Sequence, residues 1–226
     1  MARLTYFGHS AFMIDTGSHK VLIDPFISGN PQAKVKAEEI TCDAILLTHG
    51  HGDHMGDTIP IARRCGALVV TTYELAGYLD TQDVKNHPMH IGGYRKFDFG
   101  AVKLTPAFHG GGVEGANICC TPCGFLFFFN NLCLFHPGDT SLTYEFELIG
   151  RMHRIDLALL PIGDNFTMGP EDALEAVRML TPRRVVPMHY NTWELIAQNP
   201  KTFKKKVESR TSAQVIIVDP GQTIDL

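Results

Sequence analysis

Three imidazoles and one carboxylate lie within six residues of this chain, in the segment Thr48-His49-Gly50-His51-Gly52-Asp53-His54. Imidazole nitrogen and carboxylate oxygen are ligands of zinc and neighbouring first-row metals, and three protein ligands with an open position are typical of a catalytic site. Four such ligands are more than one open tetrahedral ion needs, so the spacing indicates two ions. A histidine-rich surface loop is the alternative, but the fixed place of the acid and the matching downstream residues favour a metal site.

The element that must position these side chains is the apolar run Ala44-Ile45-Leu46-Leu47, which directly precedes them. A short apolar run bounded by loop residues is typical of a buried strand. Gly50 and Gly52 have no Cβ, so the backbone after this strand can turn tightly and let alternate side chains converge on one point. The sequence therefore predicts that the ligands leave the end of a strand on a glycine-interrupted loop.

Three later residues with ligand chemistry each follow an apolar run of their own. They are His109 after Val102 to Phe108, Asp139 after Leu132 to Phe135, and His189 after Val185 to Met188. The pattern His-x-His-x-Asp-His, followed in order by a lone His, an Asp near a strand end and a final His, resembles the signature of the metallo-β-lactamase superfamily.

Four further motifs narrow this resemblance. They are Gly8-His9-Ser10, Gly138-Asp139-Thr140, the run from Gly163 to Asp172, and Met188-His189-Tyr190-Asn191. Together they resemble a group of short metal-dependent hydrolases related to ascorbate-phosphate lactonases. The resemblance spans nearly the whole chain. It implies an α/β fold, a four-layer αββα sandwich of two mixed β-sheets flanked by helices, in a single hydrolase domain over residues 1–226.

The resemblance also implies a set of metal ligands. One ion would be held by His49, His51 and His109, and the other by Asp53, His54 and His189, with Asp139 between the two. Such a pair of ions lowers the pKa of a shared water and polarises a carbonyl or phosphoryl centre, so that a metal-bridging hydroxide attacks it. Asp53 and Asp139 are the catalytic candidates, because Asp139 would bridge the ions and Asp53 could also transfer a proton. Zinc is the expected metal, with manganese, iron and nickel as alternatives.

Five polar residues near strand ends are candidates for the substrate pocket: His9, His136, Asp164, Tyr190 and Asn191. His9 lies in a tight turn between strands, where the alternative is a residue that bonds locally. For His136, strand alternation leaves the direction of the side chain open. Asp164 precedes a helix that begins at Gly169-Pro170, and Tyr190 and Asn191 could donate hydrogen bonds to a substrate oxygen, although a structural role for Tyr190 fits equally well.

Three other residues have two interpretations each. Asp24 ends a strand and either orients a ligand histidine from behind or caps backbone amides. Cys120 and Cys123 have a redox or metal spacing, but no second pair at matching spacing occurs, and incidental structural thiols are favoured.

Composition sets the outer bounds of function. The chain has 226 residues, 44% of them apolar, and a net charge of −4. This size suits one domain, and the charge gives no general attraction to nucleic acid or anionic membranes. No apolar run approaches a membrane span, and Met1-Ala2-Arg3 leads into a strand pattern rather than a signal peptide. Six cysteines without an export signal indicate free thiols, so a cytoplasmic location is expected.

The functional prediction is a binuclear metal-dependent hydrolase that acts on a small ester, lactone or phosphoester. The expected partner is a small-molecule substrate, with no membrane and no nucleic acid, and a homo-oligomer is compatible with the sequence. Two alternatives stay open. One is a small phosphodiesterase or nuclease, which would show salt-dependent nucleotide binding. The other is a non-catalytic metal-binding or redox-sensing module that uses Cys120 and Cys123.

Overall fold

Two seven-stranded β-sheets form the framework of the molecule in a computed structural model that describes residues 2–226. Within these residues the strands are β1 (Arg3–Gly8), β2 (Ala11–Asp15), β3 (Lys20–Ile23), β4 (Ala44–Leu46), β5 (Leu68–Thr72), β6 (Asn86–Met89), β7 (Tyr94–Phe97), β8 (Gly100–Pro106), β9 (Cys123–Phe129), β10 (Leu132–His136), β11 (Leu157–Pro161), β12 (Arg184–Met188), β13 (Gln214–Val215) and β14 (Thr223–Asp225).

Both sheets are mixed. The first has the order β14-β1-β2-β3-β4-β5-β6, antiparallel from β14 to β3 and parallel from β3 to β6. The second has the order β13-β12-β11-β10-β9-β8-β7, parallel from β13 to β10 and antiparallel from β10 to β7. Because β8, β10, β11 and β12 run in the same direction, their carboxyl ends meet at one edge of the second sheet.

Six α-helices occur in the described chain; five of them pack on the outer faces of the sheets, and the first is a single turn after β4. They are α1 (Gly52–Met55), α2 (Thr58–Cys65), α3 (Tyr73–Thr81), α4 (Glu145–Met152), α5 (Pro170–Leu180) and α6 (Pro200–Arg210). The start of α5 follows from its sequence, because Pro170 occupies the first turn with Glu171 and Asp172 beside it. Of the helices within residues 2–226, none combines the length and apolarity that a membrane crossing needs.

Strand alternation builds the four layers. Ala44 and Leu46 of β4 pack between the sheets, whereas their neighbour Ile45 packs on the side of α2 and α3. In the second sheet Phe125 of β9 faces the centre, and the adjacent Leu126 packs on the side of α4, α5 and α6. The predicted αββα sandwich of two mixed sheets is therefore confirmed.

The segment after β4 departs from the prediction in one respect. Residues Gly52–Met55 form one turn of helix rather than an open loop. Backbone N–H groups of His54 and Met55 both donate to the carbonyl of His51, which closes this turn. Gly56 ends it at a positive φ of 36°, against the backbone of Phe26, where a Cβ would come within 2.6 Å.

Candidate metal centre

The seven predicted metal ligands converge at the edge where strands of both sheets end. The first sheet brings the segment after β4, with His49, His51, Asp53 and His54. The second sheet brings the other three from the ends of β8, β10 and β12, which are His109, Asp139 and His189. The two sheets are joined here by a hydrogen bond from the backbone N–H of His189 to the carbonyl of His9, at 2.7 Å. Residues up to 180 positions apart thus meet because strand ends meet.

The ligating atoms form two groups, and a third set, which consists of His49, His54 and Asp139, links them. His49, His51 and His109 offer nitrogens that all lie within 4.8 Å of one another, and His49 Nε2 is 3.0 Å from His51 Nδ1. Asp53, His54 and His189 form the second group at the same limit, which also includes His9.

The carboxylate of Asp139 faces both groups. Its Oδ2 lies 3.1 Å from His189 Nε2 and 3.6 Å from His109 Nε2, and its Oδ1 lies 3.1 Å from His54 Nε2. The side chain is almost fully buried. Asp139 therefore lies within reach of imidazoles from both groups.

Several of these buried polar atoms have no hydrogen-bond partner in the described residues. They are His54 Nε2, Asp139 Oδ1 and both ring nitrogens of His189. Unpartnered buried polar atoms are costly, and they are rare in folded proteins. His54 Nε2 and Asp139 Oδ1 are 3.1 Å apart but are not aligned as donor and acceptor. Unpartnered polar atoms that converge in this way fit a bound cation, so the residues present match a metal centre.

Asp24 and Thr48 orient the imidazoles of His54 and His49 through contacts with their Nδ1 atoms. The carboxylate of Asp24, which is fully buried, accepts from the Thr48 backbone N–H at 2.8 Å and from the Thr48 hydroxyl at 2.6 Å. Its Oδ2 also lies 2.7 Å from His54 Nδ1, and Thr48 Oγ1 lies 2.9 Å from His49 Nδ1. These contacts place a proton on Nδ1 of both rings, which leaves each Nε2 lone pair directed at the centre. Of the two interpretations of Asp24, orientation of a ligand histidine accounts for this geometry, and it also binds a backbone amide.

The protonation states of the metal-free cluster follow from burial and neighbouring charge. Burial alone would raise the pKa of Asp139, but the imidazoles of His189 and His54 hold this pKa well below its usual range. Burial would lower the pKa of His54, but the carboxylates of Asp139 and Asp24 hold it well above its usual value. Burial, together with the nearby His54, holds the pKa of His49 well below its usual value. A cation would take over the place of the protons that this cluster binds.

His9 lies beside the cluster rather than in open solvent. It is fully buried at a positive φ of 57°, and its Nε2 lies 3.1 Å from Asp53 Oδ2. Its Nδ1 lies 2.8 Å from the hydroxyl of Thr192. Burial lowers the pKa of His9 to about 4, so the ring is neutral at physiological pH. A neutral ring that donates from Nε2 to Asp53 and accepts at Nδ1 from Thr192 gives each of these three side chains a hydrogen-bond partner.

The other four pocket candidates lie elsewhere. His136 is buried in the interior, where its Nε2 lies 3.3 Å from the carbonyl of Ser10 and its Nδ1 accepts from the Gly138 N–H. Tyr190 packs into the core beneath the helices, and burial raises its pKa to about 12.

Asn191 and Asp164 are exposed and bond within their own loops. Asn191 Oδ1 accepts from the backbone N–H of Gln198 at 2.7 Å, and Asp164 Oδ1 accepts from that of Asn165 at 2.9 Å. Both residues have positive φ, a conformation that Asn and Asp adopt more readily than most residues. Their polarity therefore shapes two loops, and neither side chain lines the cavity over the centre.

A cavity of about 440 Å³ opens above the metal centre. Four of its lining residues are ligand candidates, and the other three are apolar side chains that the sequence analysis does not identify: Phe166, Trp193 and Leu195. The signal available in the sequence was the position of Trp193, the single tryptophan of the chain, four residues after the last ligand.

This chain is similar to known proteins in both sequence and fold. The model of the Beta-lactamase superfamily domain matches residues 3–189. A UPF0173 metal-dependent hydrolase of Pelotomaculum thermopropionicum is 54% identical over 99% of this chain and 100% of the relative, and one of Bacillus cereus is 48% identical over the same shares. The solved structure of Igni18, a metallo hydrolase from the archaeon Ignicoccus hospitalis, is 38% identical with a TM-score of 0.91, over 99% of this chain and 97% of that one. The chain therefore belongs to the β-lactamase superfamily and, within it, to the UPF0173 metal-dependent hydrolases.

Proposed function

We propose that this protein is a binuclear metallohydrolase of small esters, lactones or phosphoesters. One ion would be held by His49, His51 and His109, and the second by Asp53, His54 and His189. Asp139 would contribute to both. Zinc is the proposed metal, because imidazole and carboxylate ligands suit it, and manganese, iron and nickel are admitted by the same donors.

The observation that carries this proposal is the position of the Asp139 carboxylate. Its Oδ2 is 3.6 Å from His109 Nε2 of the first group, and 3.1 Å from His189 Nε2 of the second. A single ion held by His49, His51 and His109 would leave His54 Nε2 and His189 Nε2 buried without partners. A second cation would give these atoms a function.

The chemistry divides between the ions and the protein. Two divalent ions, when bound, would supply a water of lowered pKa and polarise the electrophile. Asp53 lines the cavity and is the more exposed of the two catalytic carboxylates, so it is the carboxylate that would take up a proton during hydrolysis. His9 holds Asp53 through a bond of 3.1 Å and keeps its Oδ2 directed at the centre. No serine or cysteine nucleophile is required.

A redox or sensing role for the cysteine pair has little physical support. Cys120 and Cys123 are both buried, and burial raises the pKa of each thiol above its usual value. Reactive thiols need a lowered pKa and access to solvent. Cys123 Sγ instead donates to the carbonyl of Thr48, which adds to the packing behind the ligand loop.

Metal content and turnover in Asp139→Asn test the proposal. The wild type should bind about two equivalents per chain and hydrolyse members of an ester, lactone and phosphodiester panel. The variant should keep its fold and lose at least about a hundredfold in kcat. Asp156→Asn is the matched control, because Asp156 is also buried but accepts from the Cys133 backbone N–H, far from the cavity. Zero or one equivalent in the wild type, unchanged by added zinc or manganese, would refute the two-ion arrangement.

A further inference from the structure

The cavity above the metal centre has a polar floor and an apolar wall. The floor consists of ligand candidates, which are His51, Asp53, His109 and Asp139. The wall is made by Phe166, from the loop before α5, and by Trp193 and Leu195, from the loop after β12. Small-molecule sites in proteins commonly combine a mostly apolar surface with a few convergent polar groups, and this cavity has that division.

The wall residues remain exposed although their loops are tied down. Phe166, Trp193 and Leu195 are 49%, 42% and 70% exposed. The loop of Trp193 is closed by a hydrogen bond from the Asn191 N–H to the Ile196 carbonyl at 2.9 Å. Large apolar side chains that stay grouped in solvent on ordered loops mark a surface that a ligand covers.

The cavity offers no side-chain cation. Of the described residues that line it, none is Lys or Arg. Sites that bind phosphate or carboxylate groups usually supply Arg or Lys donors to them. Beyond the ions themselves, an anionic group on the substrate would face the imidazoles of His51 and His109, the carboxylates of Asp53 and Asp139, and three apolar side chains. The lining thus favours a substrate whose part beyond the reacting centre is neutral.

We infer that the substrate is a neutral carboxylic ester or lactone with an aryl or medium-length alkyl group, which packs against Trp193, Phe166 and Leu195. This inference rests on the proposed function and narrows its substrate class. A volume of about 440 Å³ admits a carbonyl group together with one ring or a short chain. In the reaction, the oxygen of water bonds to the acyl carbon, the bond from that carbon to the alkoxy oxygen breaks, and the leaving alkoxide takes a proton of the water.

A series of p-nitrophenyl esters from acetate to octanoate tests the apolar wall on the metal-loaded protein. The kcat/KM should rise by about fourfold for each added CH₂ until the cavity is filled, since burial of one CH₂ contributes about 0.8 kcal/mol. The p-nitrophenyl monoester of adipic acid tests charge, because it matches the hexanoate in length but ends in a carboxylate. It should react at least about tenfold more slowly than the hexanoate. Equal kcat/KM values along the ester series would overturn the inference. A higher kcat/KM for the adipate or for bis(p-nitrophenyl) phosphate would do so as well.

Leu195→Ala tests the wall itself, because Leu195 lines the cavity but is not a ligand candidate. It should lower kcat/KM for the octanoate by about threefold to tenfold, and the loss for the acetate should be smaller. Leu148→Ala is the matched control, because Leu148 is also an exposed leucine but lies on α4, outside the cavity lining. Equal effects of both variants on the octanoate would contradict the assignment.

Trp193 provides a readout that does not depend on turnover. It is the single tryptophan, so intrinsic emission reports on this wall alone. Titration with butanamide, hexanamide and octanamide should change the emission saturably, with affinity rising by about fourfold per CH₂. Amide binding without ester turnover would uphold the ligand class and refute hydrolysis. Ester turnover without chain-length dependence or emission change would uphold hydrolysis and refute the proposed ligand class. Concentration-dependent dimers that bury Trp193 and ignore the amides would assign the wall to a second copy and overturn the inference.

Discussion

Replacement of Asp24 by Asn tests whether the buried carboxylate behind the centre tunes the metal ligands. The Asp24 carboxylate contacts the Thr48 N–H, the Thr48 hydroxyl and His54 Nδ1 at 2.8, 2.6 and 2.7 Å. Asn has nearly the same shape and tolerates the positive φ of 42° at this position. It offers a single acceptor oxygen, so at least one of these three donors would face an amide NH₂ group.

Two magnitudes follow from this geometry. One buried donor left without an acceptor costs about 1–3 kcal/mol of folding stability. Loss of the charged partner that orients His54 should weaken metal binding by about 10–100-fold. This corresponds to about 1.4–2.8 kcal/mol. The metal-loaded variant should therefore lose more stability than the metal-free variant, because the unpaired donor destabilises both forms, whereas the weaker metal binding acts only when the ion is present.

The assay combines urea unfolding of the metal-free protein with competition for zinc against a chromophoric chelator. Asp57→Asn is the control, because Asp57 is also buried and accepts from the backbone N–H groups of Ile27 and Ser28 without touching a ligand candidate. It should reduce stability but leave zinc affinity within about threefold of wild type. If Asp24→Asn lowers stability while its zinc affinity stays at the wild-type value, the carboxylate merely caps the backbone and the orienting role is refuted.

Three shorter predictions address other parts of the molecule. Burial lowers the pKa of His9 from 6.5 to about 4, so between these pH values the unfolded chain binds a proton that the folded metal-free protein does not. The stability advantage of wild type over His9→Asn should therefore shrink by up to about 3 kcal/mol as pH falls from about 6.5 to about 4. Urea unfolding of both proteins across this pH range measures the change. Ellman's reagent should label the exposed Cys119 well before the buried Cys120 and Cys123, and equal rates would revive the redox alternative. Gly56→Ala should destabilise by at least about 1 kcal/mol in thermal unfolding, because its Cβ would lie 2.6 Å from the Phe26 backbone, and an unchanged Tm would contradict this reasoning.

The layered fold could be predicted, and the ligand candidates could be proposed, because their determinants are local. His49, His109, Asp139 and His189 each lie within three residues of the end of a strand, and the strand ends meet at one edge. The sequence patterns of strands β6 and β7 predict strands less clearly. β6 contains Pro88 and buries Met89 alone, and β7 has only half-buried or exposed side chains, so neither shows clear alternation.

The pocket residues could not be predicted from residue type because orientation depends on the whole fold. Asp164 and Asn191 are polar and lie beside the site in sequence, yet their positive φ turns them into loop-closing residues. Tyr190 follows His189 directly, and the chain directs these two neighbours to opposite sides, one to the centre and one to the core. His9 lies beside the ligand cluster, where its contact with Asp53 joins residues 44 positions apart.

The chemistry and the selectivity of this site rest on parts of the molecule with different mechanical properties. The floor is fixed from below by buried groups such as Asp24, Thr48 and Asp139, and a small displacement there would change every ligand distance. The wall is carried by two surface loops, where Phe166 and Leu195 touch solvent and can change without disturbing the floor. The 38% identity to Igni18 at a TM-score of 0.91 shows that much of the sequence can change on this framework. The wall residues can therefore differ between relatives, and change the substrate, while the metal ligands stay the same. The wall, and not the ligand motif, thus determines which substrate is bound.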